Sequence, residues 1–349
     1  MTLVQGRSYD AEVNESPLGL PSNRNPTGWY AVAWSSDVAP GTLQRLHYFG
    51  RELVCFRGTS GEVSVMDAHC RHLGGHLGVG GHVEGDEIVC PWHGWHWNLD
   101  GTNALIPYSK KEPCKPNVRI RTYPTREWYG IVVVWFDRDG GDPWWQLPEV
   151  PELESDEYYP MHPGTRMVNR VKVHPQMIVE NAADPYHVEF VHHGETAETT
   201  SFEFYDDHLH ATVDITYGGG KPSTWLTPNG PVRGQVVYDT YGLGIGFVRF
   251  PKEVLGSVQI TSHTPVDDEY TDYFFVMAAQ REEGDEGDTP NPRAARWITV
   301  QQEIIKQDFF TWENMAYLDK PNFAVEEAKD YATLRRWARH FYPPEPAEG

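Results

Sequence analysis

Four residues between positions 70 and 93 have the types and spacing to hold a metal centre. Cys70 and His72 form a C-x-H pair, and Cys90 and His93 form a C-x2-H pair. Each pair lies on a Gly- or Pro-bearing loop after strand-like text, so each loop offers one thiolate and one imidazole to a shared site. A structural zinc ion accepts two donors of each kind in a tetrahedral set, but zinc pairs are more often C-x2–4-C and H-x3–5-H. A [2Fe–2S] cluster with two thiolates on one iron and two imidazoles on the other needs one Cys and one His from each of two loops. The mixed pairs favour this second reading.

A second group falls in "ENAADPYHVEFVHH", where Asn181, Asp184, His187 and His192 are spaced N-x2-D-x2-H-x4-H. Two imidazoles and a carboxylate that leave coordination positions open make the facial triad of non-haem Fe(II) oxygenases. There is no sulfur here, so such an iron is distinct from the cluster. The text from 174 to 193 reads as a helix in which Pro185 must mark an end or a kink. On a helix Asp184 and His187 share a face, and His192 lies about 140° further round, so the helix must end or distort before it. His193 is no better placed by angle. The third ligand must come from elsewhere, and the residues leave Glu180, Glu303, Asp308 and Glu313 open.

The elements that must position these groups change character along the chain. Residues 1–27 are polar and read as an N-terminal arm. From 28 to 140 short strands alternate with turns, among them Leu53–Phe56, Val63–Met66, Glu87–Cys90 and Gly130–Phe136. A Gly- and Pro-rich linker spans 138–153, and a second domain is expected over 141–349. There the strands Thr212–Tyr217, Gly234–Thr240, Gly244–Phe250, Ser257–Thr264 and Thr271–Ala278 are followed by helical text over 294–314 and 326–342. The expectation is an α+β protein, with an all-β N-terminal domain and an antiparallel sheet covered by helices, helix-grip-like, after it.

Bulk properties narrow the partners. The 349 residues carry a formal charge of −21, which disfavours nucleic acid and anionic membrane. No apolar run exceeds Tyr273–Ala279, far short of a membrane span. The first residues lack the basic head and apolar stretch of a signal peptide, so the expected location is cytoplasmic. One basic stretch, with Lys110, Lys111, Lys115, Arg119, Arg121 and Arg126, reads as a solvated edge or as a docking patch for an acidic redox partner.

The motif "CRHLGGHLGVGG…VEGDEIVCPWHGWHW…IPY" resembles the cluster-binding loops of the Rieske oxygenases. The resemblance implies that Cys70 and Cys90 bind one iron and His72 and His93 the other, leaving His69, His76, His82 and His96 outside the ligand set. High-potential Rieske proteins carry a disulfide where this chain has Gly75 and Trp92, so a potential near the low end of the range of about −150 to +300 mV is expected. In the second half, D-x2-H-x4-H matches the family's iron motif. It selects His192, and the family's late Asp falls on Asp308. The family's bridging Asp falls on Asp184, which implies electron passage to the iron from His93 of a neighbour in a head-to-tail homotrimer. Asn181 then lies near the iron without binding it.

"GLGIGFVRF", "HTPVDD", "QDFFTWENMAY" and "LRRWARHFYP" resemble the 3-ketosteroid 9α-hydroxylase oxygenase and cholesterol 7-desaturase group over most of residues 29–342. This implies a terminal oxygenase that hydroxylates a bulky apolar substrate, a steroid, with O2. Electrons come from NAD(P)H through a flavin/iron–sulfur reductase, directly or by way of a ferredoxin. Tyr186, just before the first iron histidine, departs from the group and keeps an aromatic ring-hydroxylating dioxygenase or an O-demethylase as the alternative substrate class. From another class, a Rieske electron carrier or a zinc-stabilised binding module competes. The pocket is expected between the strands of 212–278 and Met177, Val179 and Met315.

Overall fold

A computed structural model describes residues 25–193, 197–217 and 230–342. Most of the expected arm, residues 1–24, lies outside the described residues. The N-terminal part is built of three small antiparallel sheets. One joins Gly28–Trp34, Ile131–Phe136 and Thr125–Trp128, and the second joins Leu43–Tyr48, Arg51–Arg57, Val63–Asp67 and Thr122–Tyr123. The third, His82–Glu84, Glu87–Val89, His96–Asn98 and Asn103–Leu105, carries the second Cys/His loop.

The second part is one antiparallel sheet of seven strands. Its order is Arg166–Val171, Thr271–Ala279, Ser257–Pro265, Ile245–Phe250, Val232–Tyr241, His208–Tyr217 and Glu198–Phe204. The two strands Ser257–Pro265 and Thr271–Ala279 are buried at every residue. Their side chains alternate between faces, so each face needs its own cover. Val258, Ile260, Phe274, Val276 and Ala278 join the core of the N-terminal part, with Trp34 and Trp128. Tyr273, Phe275, Met277 and Ala279 pack with Trp297, Ile298 and Phe309 of the helix Pro292–Trp312. Burying each large apolar side chain contributes about 1.5–3 kcal/mol. The seam between the parts is also hydrogen-bonded: the Ala31 N–H donates to Ser262 Oγ (2.9 Å), and Thr264 Oγ1 donates to the Ala31 carbonyl (2.6 Å). The fold is α+β as expected, with the N-terminal β part on one sheet face and the long helix on the other.

That helix starts where the chemistry predicts. Asn291 caps it by accepting from the Ala294 N–H (2.8 Å), and Pro292 occupies its first position, where no N–H is needed. Trp297, Gln301, Ile304, Asp308 and Trp312 fall on one stripe and are all buried. Two of the five are polar, and both return below.

The segment 174–193 is not one helix. Pro175–Val179 is α-helical and Glu180–Ala183 is a 3-10 turn. Asp184 then leaves the helical region (φ −117°, ψ 85°), as the residue before a proline tends to do. Its Oδ1 accepts from the backbone N–H of Tyr186 (3.0 Å) and of His187 (3.2 Å), which starts a new turn, His187–Phe190. On an unbroken helix Glu180 and His187, seven residues apart, would share a face, and the break at Asp184 removes that.

Glu180 instead meets Arg335 of the last helix, Ala328–Ala338, at 2.8 and 2.9 Å, and accepts from Gln176 Nε2 at 3.0 Å. The two charged side chains are only 10% and 15% exposed, so this pair is not a screened surface contact. Arg335→Met strands the Glu180 charge and is expected to cost about 3–5 kcal/mol in urea unfolding. A loss near 0.5 kcal/mol would mean that the pair behaves as an exposed one.

The expected linker holds no regular element over 138–150 but is pinned in place. Trp145 is buried, the Trp29 indole N–H donates to its carbonyl (3.0 Å), and Trp144 stacks on Phe341 (6.0 Å, 14°). Among the described residues, no helix is long and apolar enough to cross a membrane.

Candidate metal centres

The two Cys/His loops are built alike. In the first, the Cys70 N–H donates to the Gly75 carbonyl (2.9 Å) and the Gly74 N–H to the Cys70 carbonyl (2.9 Å). In the second, the Cys90 N–H donates to the Trp95 carbonyl (2.9 Å) and the Gly94 N–H to the Cys90 carbonyl (3.0 Å). Each turn needs a left-handed residue, supplied by Gly74 (φ 76°) and Gly94 (φ 67°). The loops press together at Gly75, where an added Cβ would lie 3.1 Å from Cys90 Sγ.

Cys70 and Cys90 are buried and free of any disulfide. Their partners His72 and His93 are half-buried, with ring centroids 4.6 Å apart, and His72 stacks on Trp95 at 4.6 Å. Burial pushes the Cys70 thiol up to about 11, against the pull of the His72 backbone N–H. The buried Trp97 indole N–H is directed at Cys70 and bonds no oxygen or nitrogen of the described residues, so it is placed to donate to sulfur. Two converging thiols, two converging imidazoles and this indole donor fit a [2Fe–2S] cluster, with the histidine edge outward. The remaining histidines have other contacts. His96 bonds Glu87 (2.8 Å), His76 meets Glu52 (3.3 Å), His69 lies edge-on to His76, and His82 is exposed.

The second group assembles from two distant stretches. One ligand atom each of His187, His192 and Asp308 lies within 4.8 Å of the others. His192 and Asp308 are both 4% exposed, and His192 Nε2 stands 3.4 Å from Asp308 Oδ1. Of the four carboxylates left open above, Asp308 comes to the histidines. Glu180 is held by Arg335, Glu303 is exposed and paired with Lys306 (2.8 Å), and Glu313 is exposed.

The other ring nitrogens are fixed as a metal site requires. His187 Nδ1 donates to the Asp184 main-chain carbonyl, and His192 Nδ1 donates to Gln307 Oε1 (2.9 Å), so Nε2 is the atom each ring offers to a metal. Burial disfavours charge on His192, but the Asp308 carboxylate and Gln307 outweigh it, and the net shift is upward. A cation bound there would meet the same carboxylate. Asn181 Nδ2 sits 3.3 Å from His187 Nε2, and Asp184 Oδ2 lies 3.9 Å from His187 Nδ1.

Gln307 was missed in the sequence, although it is the neighbour of Asp308. Gln307→Leu removes the acceptor from His192 Nδ1 and is expected to weaken iron binding about 10–100-fold. Equilibrium dialysis against limiting Fe(II) would read this, with the cluster absorption as internal control. Unchanged iron affinity would show that Gln307 does not orient His192.

Beside these residues opens a cavity with about 890 Å³ of empty space, part of it open to solvent. Val179, Ile215, Phe247, Ile304 and Trp312 supply apolar wall, as the strands of 212–278 were expected to. Met177 does not line it, being packed in the core under the long helix, and Met315 is exposed. Tyr186 is 39% exposed and does not line the cavity either. His263, on the cavity wall, is fully buried, and desolvation pushes its imidazole down to about 4, so it is neutral. Of the basic stretch, Lys115 pairs with Glu112, Arg119 with Asp100, and Arg121 donates to the Asp137 carbonyl.

Comparison with known proteins agrees with both halves. Residues 28–124 match the Rieske [2Fe-2S] domain, and residues 134–342 match the 3-ketosteroid 9α-hydroxylase C-terminal domain. The chain is 31% identical to a probable 3-ketosteroid-9-alpha-monooxygenase oxygenase component of Rhodococcus rhodochrous, over 95% of this chain and 83% of that one. It is 30% identical to the cholesterol 7-desaturase nvd of Xenopus laevis, over 91% of this chain and 72% of that one. Its fold is that of dicamba monooxygenase bound to 3,6-dichlorosalicylic acid (TM-score 0.71, 18% identity, 90% of this chain and 96% of that one). The chain belongs to the 3-ketosteroid 9α-hydroxylase family, and it is a Rieske-type non-haem iron oxygenase with a [2Fe–2S] cluster and a mononuclear iron.

Proposed function

We propose that the chain is the terminal oxygenase of a multicomponent system that hydroxylates a bulky apolar substrate, a steroid of the 3-ketosteroid type. The observation that carries this reading is the group His187, His192 and Asp308 beside a cavity walled in part by Val179, Ile215, Phe247, Ile304 and Trp312. The cavity lies directly against the three residues, so a ligand in it sits next to a metal they hold. The names of the relatives at 30–31% identity point to steroids.

The first part, residues 28–140, holds the cluster through Cys70, Cys90, His72 and His93. The second, residues 141–349, holds the iron through His187, His192 and Asp308. When bound, the cluster stores one electron at a time and the iron opens coordination positions to O2. The chain's own residues do the rest. Asp184 and Gln307 keep Nδ1 of the two histidines protonated, so that Nε2 is the ligand atom. Val179, Phe247, Ile304 and Trp312 exclude water and orient the substrate by shape. Asn181 stands beside the iron without binding it. Asp184 faces His93 of a neighbouring subunit in a head-to-tail homotrimer. Electrons arrive from NAD(P)H through a flavin/iron–sulfur reductase, directly or by way of a ferredoxin, in the cytoplasm.

The test is a substrate screen of steroids against mono- and bicyclic aromatics with a surrogate reductase. The reading expects a hydroxylated steroid. Aromatic diols or O-demethylated products with every steroid untouched would overturn it.

A further inference from the structure

The long helix runs beside the strand Ser257–Pro265, and two contacts fix how they line up. At one end the Trp297 indole N–H donates to Ser257 Oγ (3.0 Å). At the other, Phe309 meets Tyr273 edge-on (5.4 Å), and Tyr273 pairs in register with His263. Gln301 lies four residues beyond Trp297, which brings it level with Gln259, and both line the cavity. It also lies seven residues before Asp308, on the same face and about 10 Å along the helix axis. Asp308 and Gln301 thus both line the cavity, about 10 Å apart along the helix.

Gln301 is out of place by packing rules. It is 3% exposed on the apolar stripe of the helix, and its Nε2 finds no hydrogen-bond partner among the described residues. A buried donor left unmade is costly to the folded chain, and a hydrophobic side chain of the same length would fit the stripe better. The side chain lines the cavity with Ile304 and Ile305 beside it and the polar Gln259 and Thr261 also on the wall, and a turn of the amide about its last bond brings Nε2 to the cavity space. Among the described residues no Lys or Arg lines the cavity, so a charged acceptor finds no counter-ion there, whereas a neutral oxygen satisfies the amide.

We propose that Gln301 is a specificity-determining residue, whose side-chain amide donates a hydrogen bond to a ketone or hydroxyl oxygen at the end of the substrate remote from the carbon that is oxidised. This deepens the steroid reading and rests on it for the choice of substrate. The anchor sets how far the substrate enters, and therefore which carbon is presented to the iron.

The test uses the full-length protein carrying both metal centres. Equilibrium binding is measured for a steroid diketone and for two monoketones, each lacking one of its oxygens. Wild type is expected to bind the diketone about two- to tenfold more tightly than one of the monoketones. Gln301→Met, of equal length but without the donor, is expected to lose that same factor for the diketone and nothing for that monoketone. Gln301→Leu should behave alike, and the melting temperature of both variants without ligand should equal or exceed that of wild type. An equal loss for all three steroids, no loss for any, or a lower melting temperature would overturn the proposal. If wild type binds no steroid, the substrate reading fails by itself. The anchor is then judged by the same criteria with fluorenone against fluorene.

Discussion

Asp308→Ala is expected to abolish turnover while leaving the cluster's absorption and EPR signal intact. The carboxylate is the only acidic donor that the described residues bring to His187 and His192. It arrives from a helix more than a hundred positions downstream, so its loss leaves both cluster loops untouched. Two imidazoles alone hold divalent iron poorly, and turnover should fall by about a thousandfold or more, equivalent to about 4 kcal/mol. Folding should survive. Asp308 is a buried charge whose neighbour is His192 at 3.4 Å, and removing it relieves desolvation while opening a small cavity. Asp308→Asn keeps the volume and isolates the charge, and it should fail in the same way. The measurement is iron content, cluster spectrum and product yield on the same sample. Activity retained with full iron would mean that Asp308 is not a ligand. Glu180, Glu303 and Glu313, held or exposed elsewhere, could not take its place without rearrangement.

Asp184→Asn separates a local task from a longer-range one. Locally the side-chain oxygen caps the turn that carries His187, accepting from the N–H groups of Tyr186 and His187. Asparagine caps as well as aspartate, so the turn, and iron binding with it, should be kept. What asparagine lacks is the charge proposed to face His93 of the next subunit. A hydrogen bond to a charged group is worth about 1.5–3 kcal/mol, so electron arrival should slow about ten- to hundredfold. Stopped-flow absorption of the chemically reduced protein, mixed with O2 and substrate, would follow reoxidation of the cluster. Reoxidation at the wild-type rate would remove Asp184 from the electron path and leave it as a cap alone.

The two metal groups were legible to different degrees, for physical reasons. The residues proposed to hold the cluster come in two short loops, each closed by a left-handed glycine, so spacing alone carried most of the geometry. The second group needed a carboxylate from a distant helix, and spacing left four candidates. The resemblance pointed to Asp308, and the fold brought it to the histidines. Helical arithmetic failed between Glu180 and His187, because Asp184 breaks the helix before Pro185 and its side chain caps the next turn. That is a local backbone event which apolar periodicity does not record. The strands Arg166–Val171 and Glu198–Phe204 were missed as bounded elements. Both lie at sheet edges, where half-exposed residues blur alternation. Gln301 did leave a trace. It is a polar residue on the apolar stripe of Trp297, Ile304 and Trp312, which reads as a fault unless the cavity uses it.

The central claim is that one chain carries two separate iron centres, and metal analysis joined to EPR tests it most directly. The purified protein should be brown, hold about three irons and two acid-labile sulfides per chain, and give a Rieske-type signal on reduction. Mild chelation should remove about one iron and leave that signal unchanged. A colourless protein with stoichiometric zinc, or one whose iron leaves only together with the cluster signal, would contradict the account.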